Sequence, residues 1–194
     1  MEIDDKISFV IKKTEEIMED SEYQGVRLSL DAYLDKTRIP LKIDISTGDV
    51  ITPCEISFSY QLMFEDRTIP LLAYPPETVL AEKLETILSR GAANTRLRDF
   101  YDVYILQRED FVVTPDALRY ALLATCRTRG HEDLLHTYAS ILDGVRQSDA
   151  MRTQWMKYQT DFDYAAGITW DTVLDTVETL CMKTLDDHAF GDEL

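Results

Sequence analysis

The sequence is poor in cysteine, in glycine and in positive charge, and each shortage excludes something. Three scattered cysteines, Cys54, Cys126 and Cys181, make no disulfide framework in a chain of 194 residues and fit a reducing compartment. No apolar run approaches the roughly 20 residues that cross a bilayer. The opening MEIDDKISF has no leader pattern, so no membrane partner is expected and the expected address is the cytoplasm. The seven glycines include no glycine-rich turn of the kind that cradles phosphate. Twenty Lys and Arg stand against 36 Asp and Glu, a net charge of −16. Such a molecule repels nucleic acid at long range, so any polyanionic substrate needs a local basic patch.

The charges that are present segregate. Arg90, Arg96, Arg98 and Arg108 are followed by Arg127 and Arg129 in CRTRGH, whereas the segment from Asp161 onward holds nine acidic residues against Lys183 alone. Two readings fit: a solvated acidic surface with ordinary arginines, or a basic sector that receives an anion.

With 45% hydrophobic residues the chain can fill one sizeable core. Ile7, Val10, Ile11, Ile17 and Met18 recur at roughly helical spacing, which predicts a helix over Asp4–Glu19. The period then becomes two. Val26, Leu28, Leu30, Ala32 and Leu34 alternate with Arg27, Ser29, Asp31 and Tyr33, and Leu41, Ile43 and Ile45 alternate with Lys42 and Asp44 across a short polar turn. That is the pattern of an antiparallel hairpin. Shorter extended pieces are expected around Ile56–Phe64 and Ile69–Ala73. Residues 1–74 thus read as a small sheet domain with a flanking helix, and residues 75–194 as a helical domain, an α+β chain.

In the second half, prolines at Pro75 and Pro76 suit a helix start and Gly91 suits its C-cap. Helical patterns follow over about 95–108, 115–127, 132–145, 149–162 and 169–185. The first of these helices has an apolar stripe of Leu80, Leu84, Ile87 and Leu88, with Glu82, Glu85, Thr86 and Ser89 on the polar face. Lys83 lies on the edge of the stripe, between Val79 and Ile87. On the next helix, apolar side chains cover most of the circumference, yet Asp99 and Asp102 share one sector with Leu106. Carboxylates on a mostly buried helix need cations or metal as partners. The nearest cations in sequence are Lys83 and Arg98. The arrangement is either an ion-pair network that fixes two helices, or a phosphate or metal site in which lysine binds phosphate and carboxylates hold Mg²⁺. Asp44, on the non-core face of its strand, is a further candidate metal ligand.

The segments GVRLSLDAYLDKTRIPLKIDISTGDVITP and AYPPETVLAEKLETILSRGAANTRLRDFYDVYIL resemble the AbiEii/AbiGii family of nucleotidyltransferase-like toxins of type IV toxin–antitoxin systems, acting in abortive infection. The resemblance rests on the ordered set of a KIDI strand, an AEK helix and an RDFYD helix, and is firm over about 22–106. It implies a partial nucleotidyltransferase-like mixed sheet followed by an all-helical C-terminal domain. It further implies transfer of a nucleoside monophosphate from an NTP, with Mg²⁺, to an acceptor such as tRNA, and a cognate antitoxin partner. The family's active-site lysine and first aspartate fall on Lys83 and Asp99, and the second aspartate on Asp102. Lys83 and Arg98 would bind the nucleotide, and Asp44 would match a metal carboxylate of the sheet.

The chain departs from the family's pattern in one place. The family opens with a Gly-Gly-Thr or Gly-Ser turn followed by a paired Asp-x-Asp metal motif, and no such succession occurs here; Gly48-Asp49 follows a strand without either companion. The resemblance therefore implies either a catalytic segment lying before Met1 or a non-catalytic nucleotide-binding or interaction module. A sheet lacking such strands would expose apolar residues such as Val26, Leu28 and Ile43, so a homo-oligomer is expected.

Overall fold

Alternation of apolar and polar residues builds the N-terminal unit, Met1–Asp49. The computed structural model describes residues 6–17, 25–108 and 113–186. In this unit three antiparallel strands, β1 (Ile7–Ile17), β2 (Gly25–Leu34) and β3 (Thr37–Ser46), pair in that spatial order. The helix expected over Asp4–Glu19 is corrected: its described part is strand β1. Ile7, Phe9 and Ile11 alternate with Ser8 and Val10, and β-branched residues dominate the run, which favours a pleated strand over a helix. Ile7, Val10, Ile11 and Ile17 also satisfy a helical spacing, because a bulge between Ile11 and Lys13 breaks the period of two. Met18, Glu19 and Asp4 lie outside the described residues.

Register puts most apolar residues of the three strands on one face, with Val10 and Ile17 of β1 on the other. Phe9 lies opposite Ala32 and Ile11 opposite Leu30, while Leu28 pairs with Ile43 and Leu30 with Leu41. On the outer strands this face is open: Phe9 is 61% and Ile11 65% exposed, and Ile39, Leu41, Ile43 and Ile45 are exposed too. The opposite face is mostly polar. There Arg27 sits directly across from Asp44, and buried Asp31 is flanked by Arg38 and Lys12.

The second unit, Val50–Leu194, begins with the antiparallel hairpin β4 (Ile56–Gln61) and β5 (Thr68–Ala73) and continues as helices. The hairpin thus groups with the helices, whereas the sequence pattern divides the chain near residue 74. The helices are α1 (Pro76–Arg90), α2 (Leu97–Arg108), α3 (Pro115–Thr128), α4 (Leu134–Arg146), α5 (Asp149–Asp161) and α6 (Trp170–Leu185). None is long and apolar enough to cross a membrane. The start signals work as their chemistry dictates: Thr114, Ser148 and Thr169 each accept a hydrogen bond from a backbone N–H of the first turn. Gly91, at φ 49°, closes α1 by donating to Ile87.

Helix α1 is the hub, packing against α2, α3 and α4, while α6 packs against α2, α3 and α4. Leu84, Ile87, Phe100, Leu122, Val145, Trp155 and Leu174 fill the interior. The α+β class expected from the sequence holds, and both sheets are antiparallel. This frame fixes α1, α2 and α5 around one concavity.

Candidate functional site

The connection between α1 and α2 is a rigid corner. After the single turn Gly91–Ala93, fully buried Asn94 accepts the N–H of Arg96 at 2.7 Å and donates to the Thr86 carbonyl. That side chain acts as a local cap, and it delivers Asp99 into the first turn of α2, where a carboxylate suits the helix dipole.

Lys83, reaching from the stripe edge of α1, joins both carboxylates of α2. Its Nζ donates to Asp102 Oδ2 at 2.6 Å and to Asp99 Oδ1 at 3.3 Å. Asp99 is 3% exposed, so its charge relies on these partners. Arg96 adds a second cation, with Nε 2.8 Å from Asp99 Oδ2. Arg96 Nη2 also donates to Asp99 Oδ1 at 3.4 Å. Arg98 stands further out, 3.8 Å from Asp102 Oδ2 and largely in solvent. Lys83, Asp99, Asp102 and Arg98 therefore converge. Asp44 lies in the N-terminal unit, where both its oxygens accept from Arg27, at 2.6 and 2.7 Å. That hydrogen-bonded pairing holds the Asp44 carboxyl below its ordinary value.

These residues line a cavity of about 680 Å³, the size of a small-molecule site. Its other wall is a face of α5 that the sequence patterns did not single out. Lys157 and Tyr158 lie three and four residues after Gln154, and Asp161 lies four and three after them, so one stripe of the helix faces inward, with Phe162 just beyond. The missed signal was weak: α5 buries only Met151 and Trp155, and a polar stripe on such a helix reads as solvated. Lys157 forms no ion pair among the described residues. Four cations (Lys83, Arg96, Arg98, Lys157) against three carboxylates (Asp99, Asp102, Asp161) leave the cavity with an excess of positive charge, on a chain of net charge −16.

A resident divalent cation fits this arrangement poorly. Mg²⁺ takes near-octahedral oxygen ligands. Among the described residues no three His, Cys, Asp or Glu side chains cluster closely enough to hold a metal. Asp102 Oδ2 and Asp99 Oδ1 already accept from the Lys83 ammonium, and Asp99 Oδ2 faces the Arg96 guanidinium at 2.8 Å. The donor set suits a multivalent anion better.

The model of the family described as Nucleotidyl transferase AbiEii toxin, Type IV TA system, matches residues 2–176. The match runs well past residue 106 and takes in α3, α4 and α5 with the first turns of α6. No curated protein and no solved structure gives a significant match to the chain.

Proposed function

The chain belongs to the nucleotidyl transferase AbiEii toxin family of type IV toxin–antitoxin systems, and from that premise we propose that the Lys83 cavity binds the triphosphate of an NTP. The reaction of the family on this reading is transfer of a nucleoside monophosphate to an acceptor such as tRNA. The acceptor hydroxyl attacks the α-phosphorus in line, the bond to the β-phosphate breaks, and pyrophosphate leaves. One observation carries the reading: a lysine shared by two aspartates opens into a cavity whose cations outnumber its carboxylates.

Each residue then has a role. Lys83 neutralises phosphate charge as a compact point cation. Asp99 and Asp102 hold its ammonium in place from α2, and Arg98 and Arg96 supply exposed donors that can exchange a carboxylate for phosphate oxygens at little expense, since exposed ion pairs are worth only about 0–1 kcal/mol. Among the described residues the side chains around Lys83 include no group of three potential metal ligands. Magnesium, expected of the family, would enter as part of the substrate.

A second reading uses the same atoms: a nucleotide-binding module that does not transfer. It is favoured by the commitment of Asp99 and Asp102 to cations, since catalysis of this transfer depends on charge stabilisation at both attacking and leaving oxygens. A single preorganised donor is typically worth about 10²–10³ in rate. Calorimetric titration with NTP tests binding, comparing the chain with Lys83→Met; we expect loss of binding in a variant that still melts cooperatively. Equal binding by both proteins would overturn the assignment. Incubation with labelled NTP, total tRNA and Mg²⁺ separates the two readings. The chain on its own should leave tRNA unlabelled, and labelling abolished by Lys83→Met would instead establish transfer by these residues alone.

A further inference from the structure

The cavity has two chemically different ends. At one, Lys83, Arg96 and Arg98 present cations. At the other, the C-terminal end of α5 presents aromatic rings. Phe162 lines the cavity, and the residue is 41% exposed. It is backed by the Tyr164 ring, centroids 5.3 Å apart and nearly parallel at 29°, and by Tyr158 at 4.7 Å. Tyr101 of α2 closes the group, 4.8 Å from Tyr164, and its hydroxyl donates to the Tyr164 carbonyl at 3.4 Å. Tyr158 and Tyr164 hydroxyls lie 2.9 Å apart.

This platform is held from behind. The segment after α5 is tied to the helix by Trp155 Nε1, which donates to the Ile168 carbonyl at 2.8 Å, and by Gln159, which donates to the carbonyls of Ile168 and Ala165. Phe162 is therefore a fixed ring, and fixing a side chain in advance lowers the entropy lost when a ligand packs on it. Core formation does not explain its placement, since so much of the residue is open to the cavity and solvent. A flat apolar surface beside a cluster of phosphate-binding cations is what a nucleoside phosphate needs. Aromatic faces accept any base, because every base has a π-face.

We infer that the aromatic end of α5, with Phe162 as its exposed ring, is the nucleobase platform of this cavity, and that Lys157 on the same stripe contacts the polyphosphate from the side opposite Lys83. The inference rests on the triphosphate reading above and specifies which wall receives the base. It makes nucleotide selection weak, since stacking discriminates little among bases, with Gln154 and Asp161 left as the polar groups able to read a base edge.

Inorganic tripolyphosphate is the discriminating probe, because it has the phosphates without the base. Calorimetric titrations of the full chain with tripolyphosphate, and with whichever of ATP, GTP, CTP and UTP binds best, are compared for the parent, Phe162→Ala, Phe162→Tyr and Lys157→Ala. Phe162→Ala should weaken NTP binding by about 5- to 100-fold and leave tripolyphosphate unchanged. Phe162→Tyr should bind NTP like the parent, and Lys157→Ala should weaken both ligands. Equal effects of Phe162→Ala on both ligands, or none on either, would overturn the platform while leaving the phosphate site standing. Parent chain that binds tripolyphosphate but no NTP more tightly would also overturn it. Binding of neither ligand would remove the triphosphate reading and this inference together.

Discussion

Glu85 offers the sharpest test of how this helical unit is held together. Helical spacing assigns it to the polar face of α1, yet it is 2% exposed. Its two oxygens are divided between Arg129, whose Nη1 donates to Oε2, and His131, whose Nδ1 lies 2.7 Å from Oε1. Both partners come from the turn that ends α3, so the pair ties the last turns of α3 to the middle of α1. Replacing Glu85 by alanine removes the carboxylate that pairs with Arg129, a side chain only 18% exposed. Removing one partner of a buried ion pair typically costs about 3–5 kcal/mol. Because Arg129 can turn partly toward water, we expect the lower end, about 3 kcal/mol, which for a unit of this size is a fall in Tm of roughly 10 °C. Thermal melting followed by circular dichroism reads this directly. Replacing both residues, as Glu85→Met with Arg129→Met, should recover most of the loss, since a well-packed apolar pair of similar volume is often neutral against a buried ion pair. A Glu85→Ala protein within about 0.5 kcal/mol of the parent would refute the reasoning, because that is what a solvated surface residue gives.

Three further outcomes follow from the same coordinates. Burial pushes the Cys126 and Cys181 thiols up to about 12, so at pH 8 both stay protonated, and only exposed Cys54 should react with a thiol reagent before denaturation; rapid native labelling of more than one thiol would contradict this. Arg27 holds the Asp44 carboxyl below its ordinary value near 3.8, so the pair's contribution is present above that pH and is lost as pH falls through the lower folded value. An NMR titration should accordingly place the Asp44 midpoint lower in the parent than in Arg27→Gln. The open apolar face formed by Phe9, Ile11, Leu41 and Ile43 favours self-association: light scattering at micromolar concentration should show a dimer or larger assembly that Leu41→Lys with Ile43→Lys disperses, and a clean monomer would count against it.

Local signals were enough for most elements. The helices announce themselves by apolar period and by Pro76, Thr114, Ser148 and Thr169 at their starts. Strands β2 and β3 follow from strict alternation. The failures share a cause, which is dependence on partners remote in sequence. A bulge hides the period of β1, and that strand is specified by pairing with β2 rather than by its own spacing. Glu85 looks solvated until Arg129 and His131, more than 40 residues away, are brought to it. The same holds at the cavity. Lys83, Asp99 and Asp102 were legible because a lysine and two aspartates stood where a core was expected, whereas the α5 stripe is polar on a polar helix and acquires meaning only opposite Lys83.

The two readings of Lys83 drawn from the sequence, structural ion-pair network and phosphate site, call on the same atoms, and the ion pairs are the part observed. Its side chain is 20% exposed and its ammonium is bonded at 2.6 Å to Asp102, so it helps join α1 to α2. That bond does not disqualify it as a binding group; it holds the ammonium in place at the cavity before an anion arrives, and preorganised charge needs no rearrangement to act. The exposed arginines differ. Arg98, 3.8 Å from Asp102 and in solvent, has little to lose by turning to a phosphate. On this reading the site combines one fixed cation with mobile ones, and the two aspartates serve chiefly to hold the fixed one in place. On a chain whose net charge of −16 repels polyanions at a distance, recognition of a triphosphate has to be short-ranged, and charge screening over roughly 8 Å at physiological ionic strength makes a concave cluster of cations the physical form it would take.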